Sequence, residues 1–155
     1  MVSKKIIKFL EKAKAKYEIL SHRTVYTAYD KAKTLKVPEK IVGKTLIVKF
    51  NNSLAIVLIG ANKNLDFKKL KKILGKETKL ASERLIKNKI KGVKIGAIPP
   101  FGNLWGMRTF VDSSLKREKK IILNSGDWNF SIKISPKYLE KLAKDLIWGG
   151  FSKKK

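Results

Sequence analysis

The stretch from residue 44 to residue 59 constrains the fold more than any other. Residues 44–50, Lys-Thr-Leu-Ile-Val-Lys-Phe, have strand character. Asn51-Asn52-Ser53 is a turn, and residues 54–59 run back as a second apolar strand. Two such runs joined by three polar residues form a hairpin. A lone hairpin is marginal in water, so the rest of the chain must cover it.

The remaining segments supply that cover. Residues 3–16 place Ile6, Phe9, Leu10 and Ala13 on one helical face. Residues 17–20 form a short strand ending at Ser21-His22. Thr27 caps a helix over residues 28–35, stopped by Val37-Pro38. Asn64 or Asp66 starts a helix over residues 67–74 that Gly75 closes, and Ser82-Glu83 opens another to about Lys89. Residues 92–98 and 107–112 read as strands, and residues 121–123 and 128–134 as a second hairpin. Pro136 starts a last helix burying Leu139, Leu142, Ala143, Leu146 and Ile147. Hairpins interleaved with helices predict one α+β domain over residues 1–155, built on a mixed, barrel-like β-sheet flanked by helices. A helix over residues 3–16 precedes it, and a disordered basic tail, residues 152–155, follows it.

Charge then narrows the partners. Lys and Arg number 37 against 12 acidic residues, a net charge of +25. Such an excess speeds encounter with polyanions, and RNA or DNA is the leading partner class. A basic membrane-surface protein shares the same composition, although no apolar run approaches the roughly 20 residues needed to cross a bilayer. The N-terminus lacks the unbroken apolar core of a signal peptide, so a cytoplasmic protein is expected. Cysteine is absent, which excludes disulfides and thiolate chemistry. His22 is the only histidine, so neither a metal site nor a cofactor is expected.

Any one lysine is uninformative in so basic a chain, but Lys44 has context. It follows Gly43 and opens the apolar strand, so the sheet fixes its backbone and aims its ammonium. An edge lysine guarding a strand would look the same. The run Gly96-Ala97-Ile98-Pro99-Pro100-Phe101-Gly102 is more specific. Two prolines lock φ and remove donors, while the glycines permit close approach of a ligand. Amides of so rigid a loop can face a developing oxyanion, and a stiff corner of the fold would use the same residues. His22 reads as a base, a phosphate ligand or a structural histidine. Asp112 ends a strand, as a positioned carboxylate or as a cap for Ser113-Ser114. Trp105 and Trp128 can stack on bases; Trp148 is expected in the core or at a helix end. No nucleophile elbow, Walker loop or dinucleotide glycine fingerprint occurs.

The order and spacing of these pieces resemble the YbaK and prolyl-tRNA synthetase editing-domain family of aminoacyl-tRNA deacylases. The matching stretches are residues 17–22, Tyr26-Thr27-Ala28, Leu35-Lys36-Val37-Pro38, Val42-Gly43-Lys44-Thr45-Leu46, Leu80-Ala81-Ser82-Glu83, Gly92 with Gly96, Pro100-Phe101-Gly102, Val111-Asp112 and Ser125-Gly126. They cover about residues 17–147. The resemblance implies hydrolysis, without a metal, of the ester joining a wrong amino acid to tRNA. The substrate it suggests is a small residue such as alanine or cysteine on a proline tRNA. It implies catalytic roles for Lys44, Gly96, Phe101 and Gly102, and substrate binding by His22, Thr27, Pro100, Asp112 and Gly126. The implied partners are the acceptor end of tRNA and an aminoacyl-tRNA synthetase. Pro99 and Lys91 depart from the usual family residues. A noncatalytic tRNA-binding module of the same fold is the alternative.

Overall fold

The computed structural model describes residues 1–155. Helix α1, Lys4–Lys12, is capped by Ser3, whose hydroxyl accepts from the Ile6 amide. Its buried face, Ile6 and Leu10, joins the largest apolar cluster. Strand β1, Tyr17–Ser21, leads through Thr27, which caps α2, Ala28–Leu35. Lys36 ends α2 in the left-handed region at φ 57°, two residues before Pro38. Strands β2, Gly43–Phe50, and β3, Ser53–Gly60, form the expected hairpin. Then come β4, Lys63–Leu65, and α3, Phe67–Leu74, capped by Asp66. Next are β5, Lys79–Leu80, and α4, Glu83–Lys89, capped by Ser82. The second half holds β6, Arg108–Asp112; β7, Ile121–Asn124; β8, Phe130–Ile134; α5, Leu139–Leu142; β9, Ile147–Gly149; and β10, Ser152–Lys154.

Three sheets result, in the orders β1-β8-β7, β5-β2-β3-β6-β9 and β10-β4. The central one is mixed: β2 and β3 are antiparallel, while β3–β6 and β6–β9 are parallel. Strand β7 meets the chain just ahead of β2 through a single bridge, Val42 to Ile122. The fold is mixed α+β as expected, but no closed barrel is found, because that one bridge is the only backbone pairing between the two larger sheets.

Side chains alternate across β2 and β3, and this alternation sorts the core. Leu46, Val48, Ala55, Val57 and Ile59 join Leu70 and Leu74 of α3, Phe110 and Phe151. On the opposite face, Ile47 and Ile56 pack against Ile90 and Ile98. Leu58 on that face joins Phe101, Leu123 and α1.

Four expectations need correction. The first helix ends at Lys12, after which Lys14 takes φ 56° and redirects the chain. Residues 92–98 form no strand, since their polar groups bond to turn residues instead of a ladder. The last helix stops at Leu142. Asp145 turns left-handed at φ 59°, and Ile147 and Trp148 enter β9 beside β6. The tail is not disordered: β10 pairs with β4, so Ser152 faces Leu65.

Candidate active site

The loop of residues 94–102 is clamped to the turn between β7 and β8. The Lys94 amide donates to the Gly126 carbonyl at 3.0 Å, and the Gly126 amide donates back to Ala97 O at 2.7 Å. Trp128 Nε1 donates to Ile95 O at 2.7 Å, and Asn124 Nδ2 to Ile98 O at 3.1 Å. Gly126 can do this because it sits at φ 95°, where an L side chain would be strained.

Those acceptors orient the donors on the other side of the same peptides. In a trans peptide the N–H points opposite to the carbonyl. With Ile95 O turned to Trp128, the Gly96 N–H points away from that indole. With Ala97 O turned to Gly126, the Ile98 N–H points away from the hairpin turn. The amides of Gly96, Ile98 and Phe101 make no hydrogen bond within the protein. Hydrogen bonds along a chain polarise one another, so the two bonded carbonyls make Gly96 and Ile98 better donors. Gly96 and Ile98 thus carry donors that no acceptor of the protein uses.

Behind the loop lies a lysine that the sequence reading passed over. Lys31 of α2 is buried, and its Nζ donates to Asn124 Oδ1 at 2.6 Å. Burial alone pushes its amine down to about 8. The signal was present: Ala28, Ala32 and Leu35 form the apolar stripe of α2, and Lys31 stands at the i+3 position within it. Thr45, whose hydroxyl is buried and unpartnered, lies on the loop-facing side of β2.

Lys44 does not converge on this loop. It is paired with Ile59, on the face that covers α3, and its Nζ donates to Lys63 O at 3.1 Å. Burial, and then the charge of Lys155, lower its pKa. The ammonium and the amide loop thus occupy opposite faces of the β2–β3 pair; Lys94 of the loop borders a surface cleft with Gly126 and Asp127, and Lys44 does not line it.

The other predicted residues are spread out. Phe101 is fully buried, with its ring 5.5 Å from that of Phe9. The Gly102 amide donates to Thr109 Oγ1 at 3.2 Å, so it is already used. Pro100 is buried beside them. His22 has both ring nitrogens engaged, Nδ1 with Arg23 O and Nε2 with Ser131 Oγ, each at 2.8 Å. Thr27 Oγ1 accepts from the Asp30 amide as a helix cap. Asp112, on the same face as Lys44, accepts from the Phe151 amide at 2.8 Å and from Ser114. Burial pushes the Asp112 pKa up, but these bonds outweigh it and hold the carboxyl low. No group of three or more His, Asp or Glu side chains is arranged to hold a metal ion. No helix is long and apolar enough to cross a membrane.

The fold and the clamped loop define a class. The sequence pattern of the aminoacyl-tRNA editing domain matches residues 22–142, and the chain belongs to that family. The uncharacterized protein YwhH of Bacillus subtilis strain 168 is 25% identical over 123 residues, covering 79% of this chain and 78% of that protein. The crystal structure of the hypothetical protein APE2540 is similar at TM-score 0.86 and 24% identity, covering 97% of this chain and all of that one. A proposed trans-editing enzyme for prolyl-tRNA synthetase is similar at TM-score 0.82 and 19% identity, with 99% of each chain covered. At these identities the two structures speak to the fold.

Proposed function

We propose that this chain is a deacylase that works in trans, hydrolysing the ester of a mischarged tRNA. The observation that carries the reading is the clamped loop with three unpartnered amides in a chain of the editing family. The amides of Gly96 and Ile98 receive the oxygen of the ester carbonyl as it becomes an oxyanion. One such donor is worth about 10²–10³ in rate, or about 2.7–4 kcal/mol. Water adds to the carbonyl carbon, helped by the substrate's own amine or hydroxyl. The bond to the ribose oxygen then breaks, and that oxygen leaves as the sugar hydroxyl with the proton. The chemistry asks for no metal and no protein nucleophile.

Lys44 takes a different part from the loop. Beside Lys63 and Lys155 it is placed to hold a phosphate of the acceptor strand. A cleft of about 570 Å³ lined by Lys49, Arg84, Lys87 and Lys91 offers further phosphate contacts, which position a nucleic acid without reading its sequence. The substrate we favour is a small amino acid, alanine or cysteine, on a proline tRNA in the cytoplasm, delivered free or by a synthetase. A synthetase misloads such residues because one methylene discriminates by only about 1–3 kcal/mol.

A deacylation panel of alanyl-, cysteinyl-, seryl- and prolyl-tRNA tests this reading. Release of one or two of these amino acids is expected. A wild-type protein that binds tRNA but releases none would favour the noncatalytic module, a reading that the separation of Lys44 from the loop also supports.

A further inference from the structure

We infer that Lys31 is a positioning residue for the amide loop, acting through Asn124. The inference deepens the deacylase reading and rests on it for its catalytic consequence.

Lys31 is only 5% exposed, and no carboxylate partners it. A buried ammonium without a counter-ion is costly, and apolar replacement of buried charge is often neutral or stabilising. Stability therefore does not explain its place in the apolar stripe of α2. Its single hydrogen bond does. The ammonium can only donate, so it fixes Oδ1 of Asn124 toward itself. The amide group of Asn124 must then present Nδ2 to the carbonyl of Ile98. Two hydrogen bonds in sequence, Nζ to Oδ1 and Nδ2 to O, tie the middle of α2 to the Ile98–Pro99 peptide.

The direction of polarisation matters as much as the tether. A charge-assisted bond is about twice as strong as a neutral one. A cation on Oδ1 draws electron density from the Asn124 amide and strengthens donation from Nδ2. Ile98 O is thereby held against the hairpin, next to Ala97 O, which the Gly126 amide holds. Both peptide planes flanking Ile98 are fixed, and the Ile98 N–H between them has one direction. A neutral side chain at position 31 would fill the space and leave Asn124 free to turn over.

The test compares Lys31→Met and Asn124→Asp in the full chain. Asn124→Asp keeps an acceptor for Lys31, supplies a counter-ion and removes the donor to Ile98. Two readouts are taken: hydrogen exchange at the Gly126 amide, and steady-state deacylation. Both variants should exchange Gly126 at least tenfold faster, with the β7 amides of Ile122 and Leu123 unchanged. Both should lose tenfold or more in kcat at constant KM, and Lys31→Arg should recover part of it. A melting temperature for Lys31→Met at or above that of wild type is part of the expectation. Unchanged exchange at Gly126 in either variant overturns the inference, whatever the activity. So does full kcat in Lys31→Met when the wild type is active. A wild type inactive on every aminoacyl-tRNA defeats the deacylase reading alone, and exchange at Gly126 then decides the role of Lys31.

Discussion

Replacing Gly102 by alanine should unfold more of this protein than it should disable. A Cβ there would lie 2.1 Å from the Met107 carbonyl oxygen and 2.6 Å from Thr109 Oγ1. The first is backbone and cannot step aside. The second already holds the buried Gly102 amide at 3.2 Å. Restoring ordinary contact forces the segments apart by roughly 1 Å, which breaks that bond. It also strains the bond from the Met107 amide to Gly102 O, 2.9 Å long. An unsatisfied buried amide costs about 1–3 kcal/mol, and the second bond about 1 kcal/mol. Overpacking adds about 1–3 kcal/mol. The expected loss is about 3–7 kcal/mol, a large share of the roughly 5–15 kcal/mol typical of a domain. At about 2–4 °C per kcal/mol, the midpoint should fall by roughly 10–20 °C. Thermal unfolding followed by circular dichroism measures it. Thr109→Val, which removes only the acceptor, should cost about 1–3 kcal/mol in the same assay. A Gly102→Ala protein that melts within about 3 °C of wild type yet fails to deacylate would refute the reasoning, because the glycine would then serve the reaction instead of the packing.

Four further outcomes are expected. Lys44→Ala should raise KM for aminoacyl-tRNA by roughly fivefold, the equivalent of about 1 kcal/mol, with kcat retained; a lost kcat at wild-type KM would return the lysine to the carbonyl. Removing Lys87 and Lys91 together should reduce the slope of log affinity against log salt by about 2, measured by filter binding at several salt concentrations. Lys31 titrates near 8 in the folded chain against 10.5 ordinarily, so its burden on stability is complete below pH 8 and is relieved as pH rises from 8 to 10.5. Wild-type stability should climb by about 3 kcal/mol relative to Lys31→Met across that window, read from urea midpoints. Asp112→Ala should cost about 1–3 kcal/mol by orphaning the Phe151 amide. In wild type the stability from Asp112 is whole above the ordinary carboxylate value and is lost only as pH falls beneath it, because its folded pKa is depressed.

Local chemistry made much of the fold legible. Thr27, Asp66 and Ser82 cap the helices they were expected to start. Asn51-Asn52 turns the hairpin, with Asn51 at φ 53°. What the sequence hid were decisions made at long range. Residues 92–98 look like a strand by composition, yet Asn124, Gly126 and Trp128 take their carbonyls one by one. Ile147 fits the helical period of Leu139 and Leu142 equally well, and only the open edge of β6 draws it into a strand. The loop of the candidate site was visible from its glycines and prolines. Lys31 was not singled out, because a lysine within an apolar stripe looks ordinary among so many lysines. The direction of Lys44 was fixed by which β3 residue it opposes, a matter of register that no single segment carries.

The family match ends at residue 142, yet the sheet does not. Ile147 and Trp148 lie along β6, and the Phe151 ring meets Phe110 edge-on at 5.7 Å. Anyone excising the domain at the family boundary would strip β6 of its neighbour. The Phe110 ring would lose its lid, and a parallel edge of four strands would be exposed to other molecules. Bare edges of that kind seed self-association. Insoluble protein from such a trimmed gene would therefore report a missing border strand, and say nothing against the proposed activity.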